Sequence, residues 1–320
     1  MKKTDPTSFW KRYELLSSTK DYVASVISPK VCRFCKKIEP STSFNMKAHV
    51  ISELLGSNNV IANDECDNCN KIFSAYESHL SLYFRPYLTM TGTSGKRGVP
   101  DFQSRTVDRN ENTRTLIKSE ENRRKVILTD SPDYELDREN KRFTLIFRKP
   151  PLIPFLVYKA LVKIGLSLIP ESHLTEFGEV FNWLLNDNHW VSTFQLCWVN
   201  LLTFKKFSEP YADLYRAKRV LYSKSFSAEY TLVVGFANVI VQIFLPISDS
   251  LSPKVAGKSP VLELFPGFAF DDLSRKDVVT ISGLDLSERE TVTLNHRLNF
   301  TFQNGEFRDN SGMQSNTGVS

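Results

Sequence analysis

The sequence lacks any long, uninterrupted hydrophobic segment. Its longest apolar run, TLVVGFANVIVQIFLP, contains Asn238 and Gln242 and is shorter than the roughly 20 residues that a membrane-spanning helix needs. The N-terminal stretch MKKTDPTSFWKRYELL is basic but has no apolar segment of the kind found in signal peptides. We therefore expect a cytoplasmic protein without a membrane partner.

Cysteine is scarce, which argues against a disulfide-rich secreted scaffold. The chain has 5 cysteines in 320 residues, and four of them form two CxxC pairs, CRFC (32–35) and CDNC (66–69). In a reducing cytosol such pairs are more typical of metal sites than of disulfides. The fifth, Cys197, lies among apolar residues in FQLCWVN, where we expect a buried packing role.

A strong excess of charge of either sign is also missing. The net charge is +5, from 41 basic and 36 acidic residues, which permits a nucleic-acid partner without requiring one. Hydrophobic residues make up 41% and charged residues 24% of the chain, an ordinary globular balance. The length suffices for one large or two ordinary domains.

We predict an α+β protein with four segments. They are a helical lead-in (1–30), a cysteine module (31–95), a domain of mixed helices and antiparallel sheet (96–303) and a disordered tail (304–320). The Gly- and Ser-rich stretch TGTSGKRGVP supplies the hinge after the module. The tail NGEFRDNSGMQSNTGVS is too polar to build a core.

Apolar periodicity predicts the individual elements. In the module, a helix beginning near Asn70 carries one apolar stripe and is expected to end before Pro86. In the following domain, PFLVYKALVKIGLSLIP and HLTEFGEVFNWLLND have helical patterns. Strands are predicted for the β-branched and aromatic runs RTLIKS, RKVILTD, RFTLIFRK, STFQLCWVNLLTF, AKRVLYSKS, AEYTLVVGF and VIVQIFLPI.

The two CxxC pairs predict one metal site. Each CxxC turn can direct two thiolates at a single ion, and two turns complete a tetrahedral set of four sulfurs that suits Zn²⁺. Cys32, Cys35, Cys66 and Cys69 are therefore the predicted ligands of a structural zinc. Two such turns fix the shape of the long insertion between them.

That insertion carries the only histidine of the module's first half, His49 in AHVIS. We expect a strand that holds His49, a loop through ELLGSNNVIAND, a second strand that ends at the second CxxC, and a helix that opens at Cys69 and Asn70. This order is a ββα hairpin, in which His49 and Asn70 would face each other.

The stretch 31–85 resembles the HNH endonucleases of the four-cysteine class, whose ββα-metal fold is stapled by zinc. The motifs that carry the resemblance are CRFC, AHVIS, LGSNNVIAND and CDNCN, which occur in the family's order. The resemblance covers about a sixth of the chain, and residues 100–320 match no family that we recognise.

The resemblance implies a metal-dependent nuclease that hydrolyses DNA. His49 would be the general base, a role that suits the ordinary pKa of histidine. Asn70 would hold the catalytic Mg²⁺ or Mn²⁺ through its amide oxygen. Asn63 is the predicted asparagine that shapes the loop and orients the histidine, with Asn58 and Asn59 as alternatives. HNH modules of this kind suggest a role in phage defence or in a mobile element.

The sequence departs from the commonest family pattern at Ala48, where many members have an acidic metal ligand. Glu77 lies seven residues after Asn70 on the same helix face and could reach the cation directly or through water. Asp64 and Glu65 are weaker candidates for that role.

Simpler roles stand beside these. A histidine on an apolar strand can be structural, an asparagine at a helix start can be an N-cap, and Glu77 can be a solvated charge. The alternative to an enzyme is therefore a non-catalytic, zinc-stapled module that binds nucleic acid or protein, and Ala48 favours it.

A phosphodiester substrate requires cations near the cleft. Lys71, Arg85, Lys96 and Arg97 follow the module with few acids among them, and we predict that they bind DNA. The alternative for Lys96 and Arg97, in the loop GTSGKRG, is an ordinary solvated loop.

Overall fold

A computed structural model describes residues 7–24, 26–103, 115–120, 123–128, 134–186, 195–202, 206–218, 228–248, 263–266 and 280–301. The helices are α1 (Thr7–Arg12), α2 (Asp67–Thr91), α3 (Pro154–Leu168) and α4 (Gly178–Leu185). The strands are β1 (Tyr13–Ser18), β2 (Phe102–Gln103), β3 (Thr115–Glu120), β4 (Arg123–Leu128), β5 (Tyr134–Asp137), β6 (Arg142–Arg148), β7 (Leu196–Leu201), β8 (Tyr211–Ala217), β9 (Tyr230–Phe236), β10 (Val239–Phe244), β11 (Thr280–Asp285) and β12 (Asn295–Thr301). Helices and antiparallel strands thus confirm the predicted α+β class.

The chain forms two compact units. The first comprises residues 1–102, 117–125 and 151–292, so that the cysteine module and strands β7 to β11 belong to one unit. The second comprises residues 103–116, 126–150 and 293–320. In the second unit, β12, β6 and β5 form an antiparallel sheet in that order. The predicted disordered tail, 304–320, lies outside the described residues.

A six-stranded antiparallel sheet forms the core of the first unit, with the strand order β1-β8-β9-β10-β7-β11. Its centre is the hairpin β9–β10, where every residue of both strands is buried. Ala237 at the turn has a φ of 50°, the left-handed conformation that tight hairpin turns require. The apolar runs therefore formed strands as predicted, although most of AKRVLYSKS lies outside the described residues.

The lead-in is not the helix that we predicted. After the short helix α1, residues 13–18 form β1, an edge strand that pairs with β8. Phe9 and Tyr13 are buried against Tyr215 and Phe265, and this aromatic cluster holds the segment on the sheet. Val23, an apolar residue of the predicted helical lead-in, is 84% exposed.

Helix α2 is longer than predicted at both ends. It begins at Asp67 rather than near Asn70 and passes through Pro86 to Thr91. A proline inside a helix costs about 3 kcal/mol, but the turns around Pro86 are buried, and burial of large side chains offsets a cost of that size. Gly92, with a φ of 64°, ends the helix in the left-handed conformation typical of a C-terminal glycine.

Helix α3 confirms the predicted pattern and is buried along nearly its whole length. It packs against α2, and the backbone N–H of Ile153, its N-cap residue, donates to Nδ1 of His79 on α2 at 3.1 Å. The second predicted helix is divided into a 3₁₀ segment, Glu171–Phe177, and α4. None of the helices in the described part of the chain has both the length and the hydropathy of a membrane span.

Candidate functional site

The first CxxC turn is a tight hairpin. Val31 and Ile38 pair in an antiparallel bridge, and inside it the N–H of Cys32 donates to the carbonyl of Lys37 at 2.8 Å. Lys36 has a φ of 60° and donates its N–H to the carbonyl of Cys32 at 3.0 Å. The left-handed residue reverses the chain, so that both cysteine side chains lie on the same side of the turn.

The second CxxC lies at the start of α2. Cys66 is the N-cap residue and makes no side-chain capping bond, while Cys69 lies in the first helical turn. The helix therefore presents two sulfurs from its first turn towards the hairpin. This placement explains why the sequence needs a helix start directly after the second strand.

The four sulfurs come together as predicted. The Sγ atoms of Cys32, Cys35, Cys66 and Cys69 all lie within 4.8 Å of one another. The pairs Cys32–Cys69 and Cys35–Cys66 are each 3.7 Å apart. With Zn–S bonds of about 2.3 Å, the sulfurs of a tetrahedral site are about 3.8 Å apart. The cluster can hold a metal ion, and its all-sulfur donor set and spacing fit zinc.

The thiols influence one another's ionisation. The pKa of Cys32 is lowered to about 5, and the largest cause is the side-chain hydrogen bond between its sulfur and that of Cys69. The pKa of Cys69 is raised, first by the same hydrogen bond with Cys32 and then by burial. A metal ion would replace this shared proton, because metal ligands are thiolates.

Arg33, inside the first CxxC, joins the cluster to the rest of the unit. Its Nε donates to Oδ2 of Asp64 at 2.7 Å, and its backbone N–H donates to the carbonyl of the same residue at 2.7 Å. Its Nη1 reaches the carbonyl of Ile169, just beyond α3, at 2.7 Å. This partly buried arginine satisfies a carbonyl at the C-terminus of a helix, where such groups lack an internal partner. Asp64, which was a weak candidate for the cation, is therefore engaged with Arg33.

His49 lies on a short antiparallel pairing, as predicted. It forms a bridge with Ile61, which is flanked by hydrogen bonds from Val50 N to Val60 O at 2.9 Å and from Ala62 N to Ala48 O at 2.8 Å. The pairing is only a few residues long. It runs between the two CxxC turns and precedes α2. Because it is an isolated bridge, and the described residues form no strand between β1 and α2, the two predicted strands are reduced to this short pairing.

Both ring nitrogens of His49 have partners. Nδ1 lies 3.3 Å from Oδ1 of Asn58, and Nε2 lies 3.3 Å from Oε2 of Glu53. Glu53 is on a 3₁₀ turn, Glu53–Leu55, whose N-cap is Ser52 of AHVIS. Sequence reasoning missed Glu53, because a spacing of four residues brings side chains together on a helix, whereas His49 was predicted on a strand.

Asn58, not Asn63, is the asparagine at His49. The amide nitrogen of Asn58 donates to the carbonyls of Ile51 at 3.0 Å and Gly56 at 3.2 Å, which fixes Oδ1 as the atom facing the ring. Because an amide oxygen only accepts, Nδ1 of His49 must carry the hydrogen in this bond. The contact with His49 that we predicted for Asn63 is thus made by one of its alternatives.

Asn63 lies instead with Arg33 and Asp64 on the wall of a cavity beside the first CxxC turn. It follows Ala62, whose N–H donates to the carbonyl of Ala48, and precedes Asp64, whose carbonyl accepts from the N–H of Arg33 in the first CxxC. The contact with His49 is made by Asn58 instead.

Asn70 does not cap α2. The N-cap is Cys66, and the backbone N–H of Asn70 already donates to the carbonyl of Cys66 at 2.9 Å. Its side chain lies beside Met46, with Nδ2 4.0 Å from Sδ. In the described part of the chain, the side-chain amide oxygen of Asn70 makes no hydrogen bond, so this oxygen is available to a ligand. No described contact joins Asn70 to His49.

Glu77 faces a buried lysine rather than open solvent. Its Oε1 lies 3.3 Å from Nζ of Lys163, which comes from α3. The same ammonium lies 3.2 Å from Oε2 of Glu65 and donates to the carbonyl of His49 at 2.5 Å. Sequence reasoning missed Lys163, and its only signal was that it is one of two lysines, with Lys159, on a largely apolar helix.

The ammonium and the carboxylates of this buried cluster stabilise one another's charged forms. Burial acts to lower the pKa of Lys163, but the carboxylates of Glu65 and Glu77 outweigh it, and the pKa lies above its usual value. Burial raises the pKa of Glu65 to about 7, against the pull of the ammonium. Glu65 and Glu77, both candidates for the catalytic cation, are therefore partners of Lys163.

The predicted DNA-binding cations lie in different environments. Lys71 is exposed on the first turns of α2, and Arg85 is half-buried on the same helix. Lys96 and Arg97 are exposed at the tip of a two-residue turn, which Gly95 and Gly98 close with reciprocal N–H to carbonyl bonds of 3.1 Å.

A second cluster of ligand atoms is missing from the described residues. Apart from the four cysteines, no group of three or more histidine, cysteine or acidic side chains comes close enough to hold an ion there. Comparison with known proteins adds no assignment, because no family model, no curated protein and no solved structure matches the chain.

Proposed function

We propose that the protein is a metal-dependent endonuclease of the HNH type that hydrolyses phosphodiester bonds of DNA. The observation that carries the proposal is the environment of His49. This partly buried histidine is on a hairpin between the halves of a four-cysteine cluster, and both of its ring nitrogens contact a polar partner. A purely structural ribbon would need neither contact.

The contacts of His49 suit a general base. Since Asn58 accepts the hydrogen of Nδ1, the lone pair for proton uptake is on Nε2. When Nε2 takes a proton from water, the ring becomes an imidazolium, and the carboxylate of Glu53 at 3.3 Å stabilises the new charge. A carboxylate close to a histidine favours the protonated, charged form of the ring.

The second component is a divalent cation. Mg²⁺ or Mn²⁺, when bound, stabilises negative charge on the phosphoryl group. Asn70 is the residue that we propose to hold it, because its amide oxygen is a hard ligand and is unengaged among the described residues. Glu77 has a weaker claim than the sequence suggested, since one of its oxygens faces Lys163.

The runner-up is a zinc-stapled binding module without catalysis. Two observations favour it. Ala48 stands where many HNH enzymes have an acid, and apart from the four cysteines the described residues contain no group of three or more potential ligands that could hold a second ion. Such a module would bind nucleic acid or protein but would not cut DNA.

Replacing the histidine separates the two functions. We expect wild-type protein to cleave plasmid DNA with Mg²⁺ or Mn²⁺ and to stop when EDTA is added. Loss of a general base reduces the rate by about 10²- to 10⁴-fold, so His49→Ala should lower cleavage by that factor while zinc content and DNA binding stay the same.

His173→Ala is a matched control. His173 is similarly buried and also contacts a carboxylate, that of Glu176, with 3.1 Å between Nδ1 and Oε1. Full cleavage by His49→Ala, or an equal loss in His173→Ala, would remove His49 from the mechanism. Absence of cleavage in the wild type under all metal conditions would favour the binding module.

A further inference from the structure

The hairpin Ser94–Gly98 carries two adjacent cations without acidic partners. Its sequence is SGKRG, and no acid occurs between Gly92 and Pro100. Lys96 and Arg97 are exposed at its tip, and neither forms an ion pair within the described residues. Unpaired cations on a turn closed by two backbone hydrogen bonds form a small, positively charged projection.

The hairpin is fixed to the loop that follows His49. The carbonyl of Ser94 accepts from the backbone N–H of Ser57 at 2.9 Å and from its hydroxyl at 3.0 Å. Gly95 lies so close to the loop that a Cβ added there would be 2.6 Å from the carbonyl oxygen of Glu53. Only glycine permits this approach, because the atom in the way belongs to the backbone.

This contact places the cations next to the histidine site. The residue against which Gly95 packs, Glu53, is the same residue whose carboxylate lies 3.3 Å from Nε2 of His49. Glu53 is the only acid in the loop between His49 and Ala62. A third cation follows from the fold, since Nζ of Lys206 donates to the carbonyl of Thr91, at the end of α2 just before the hairpin.

We propose that the hairpin Ser94–Gly98 is a phosphate clamp, in which Lys96 and Arg97 bind the backbone of duplex DNA beside the phosphate that faces His49. The inference rests on the proposed function, and it names the surface that positions the substrate strand. The two cations act on phosphates, so the clamp contributes affinity and placement but no base specificity.

The salt dependence of binding tests the clamp without any cleavage. The probe is a labelled duplex oligonucleotide of DNA, titrated by fluorescence anisotropy with full-length protein in the His49→Ala background. Each phosphate contact adds about 0.9 to the slope of log K against log salt. Lys96→Gln/Arg97→Gln should therefore reduce the slope by about 2. If the variant and its parent have equal affinity at about 1 M salt, the variant binds about 60-fold more weakly than the parent at about 0.1 M.

Arg138→Gln/Lys141→Gln is the matched control, because it removes the same two charges from another exposed turn, between β5 and β6. We expect its slope to match that of the parent protein. An unchanged slope in the hairpin variant, an equal loss in the control, or a hairpin-dependent slope for duplex RNA but not for DNA would overturn the clamp.

A second variant keeps the charges and moves them. Gly95→Ala would place a methyl group against the carbonyl of Glu53, so the hairpin must shift while Lys96 and Arg97 remain. We expect weaker DNA binding at unchanged net charge and unchanged zinc content. Gly178→Ala is its control, since an added Cβ there meets nothing within 4 Å. Parental binding by Gly95→Ala would contradict the fixed position of the clamp.

The outcomes for the clamp and for the nuclease are separable. A protein that binds DNA through the hairpin and never cuts it would contradict the proposed catalysis and leave the clamp in place. A protein that cuts plasmid DNA with an unaltered rate and salt slope in the hairpin variant would contradict the clamp alone.

Discussion

The cysteine cluster and the histidine site belong to the same short segment, but they are held in different ways. The cluster is built from four like side chains within residues 32–69. The histidine site depends on distant parts of the chain: Lys163 donates to the carbonyl of His49, and the hairpin at Gly95 packs on Glu53. A metal ion can therefore organise the first locally, whereas the second exists only when α3 and the hairpin are in place.

The comparison predicts that metal and histidine site respond differently to mutation. Loss of a cysteine sulfur should release the metal ion and unfold the segment that the cluster organises. Loss of a remote partner should leave the metal bound and disturb the histidine. A substitution at Asn70 should change neither of the two and affect only the proposed catalytic cation.

The largest effect is expected for Cys66→Ser. Structural zinc contributes about 10 kcal/mol or more to small modules, so we expect loss of zinc and unfolding of residues 31–91, seen as a lower melting temperature and susceptibility to proteolysis. Metal analysis of the wild type should find about one zinc per chain.

Cys197→Ser is the control, because Cys197 is buried in β7 and is not part of the cluster. It should retain zinc. A Cys66→Ser protein with full zinc content and an unaltered melting curve would show that the cluster is not the structural centre of the segment.

An intermediate effect is expected for Lys163→Met. The substitution leaves two carboxylates and the carbonyl of His49 without their buried ammonium, and breaking a buried pair in this way costs about 3–5 kcal/mol. Zinc should remain bound, and plasmid cleavage should fall because His49 loses its backbone anchor. Urea unfolding measures the loss of stability, and metal analysis measures whether zinc is retained.

The double variant Lys163→Met/Glu65→Gln sharpens the result. Removing the charge of Glu65 together with that of Lys163 should recover part of the lost stability, since neighbouring charges do not act additively. Equal stability of Lys163→Met and wild type would mean that α3 does not hold the histidine site.

The same contrast explains what could be predicted from the sequence. The four ligands and His49 were predictable because residue type, spacing and chain order are local features. The asparagine partner of His49 was predictable only as one of three asparagines, since the geometry of the loop decides among them. The contact between Lys163 and His49 joins residues 114 positions apart, and a single sequence holds no pattern for it.

Two local rules were outweighed by packing. Pro86 should end a helix, but α2 continues because its last turns bury aromatic side chains. The lead-in has helical spacing, but Tyr13 begins a strand because the edge of the large sheet and an aromatic cluster accept it. In both places, tertiary burial exceeds the local preference of the backbone.

The smallest effect is expected for Asn70→Asp, which tests the catalytic cation alone. Because the cap of α2 is Cys66, a cap role for Asn70 no longer competes with the ligand role. Asp in the first turns of a helix is compatible with the helix dipole and adds at most about 1 kcal/mol of stability, so folding and zinc content should be kept. A carboxylate binds a hard cation more strongly than an amide does. The concentration of Mg²⁺ or Mn²⁺ at half-maximal cleavage should therefore fall by several-fold.

Glu77→Gln serves as the comparison in the same titration. One of its oxygens faces Lys163 at 3.3 Å, so the substitution should lower stability by about 1–3 kcal/mol, as for a weakened bond to a buried charged group, and should shift the metal requirement less than Asn70→Asp. If wild type and Asn70→Asp have the same metal titration, Asn70 is not the ligand. If Glu77→Gln shifts the titration more than Asn70→Asp, then Glu77 rather than Asn70 holds the cation, and the buried lysine shares its carboxylate with the catalytic metal.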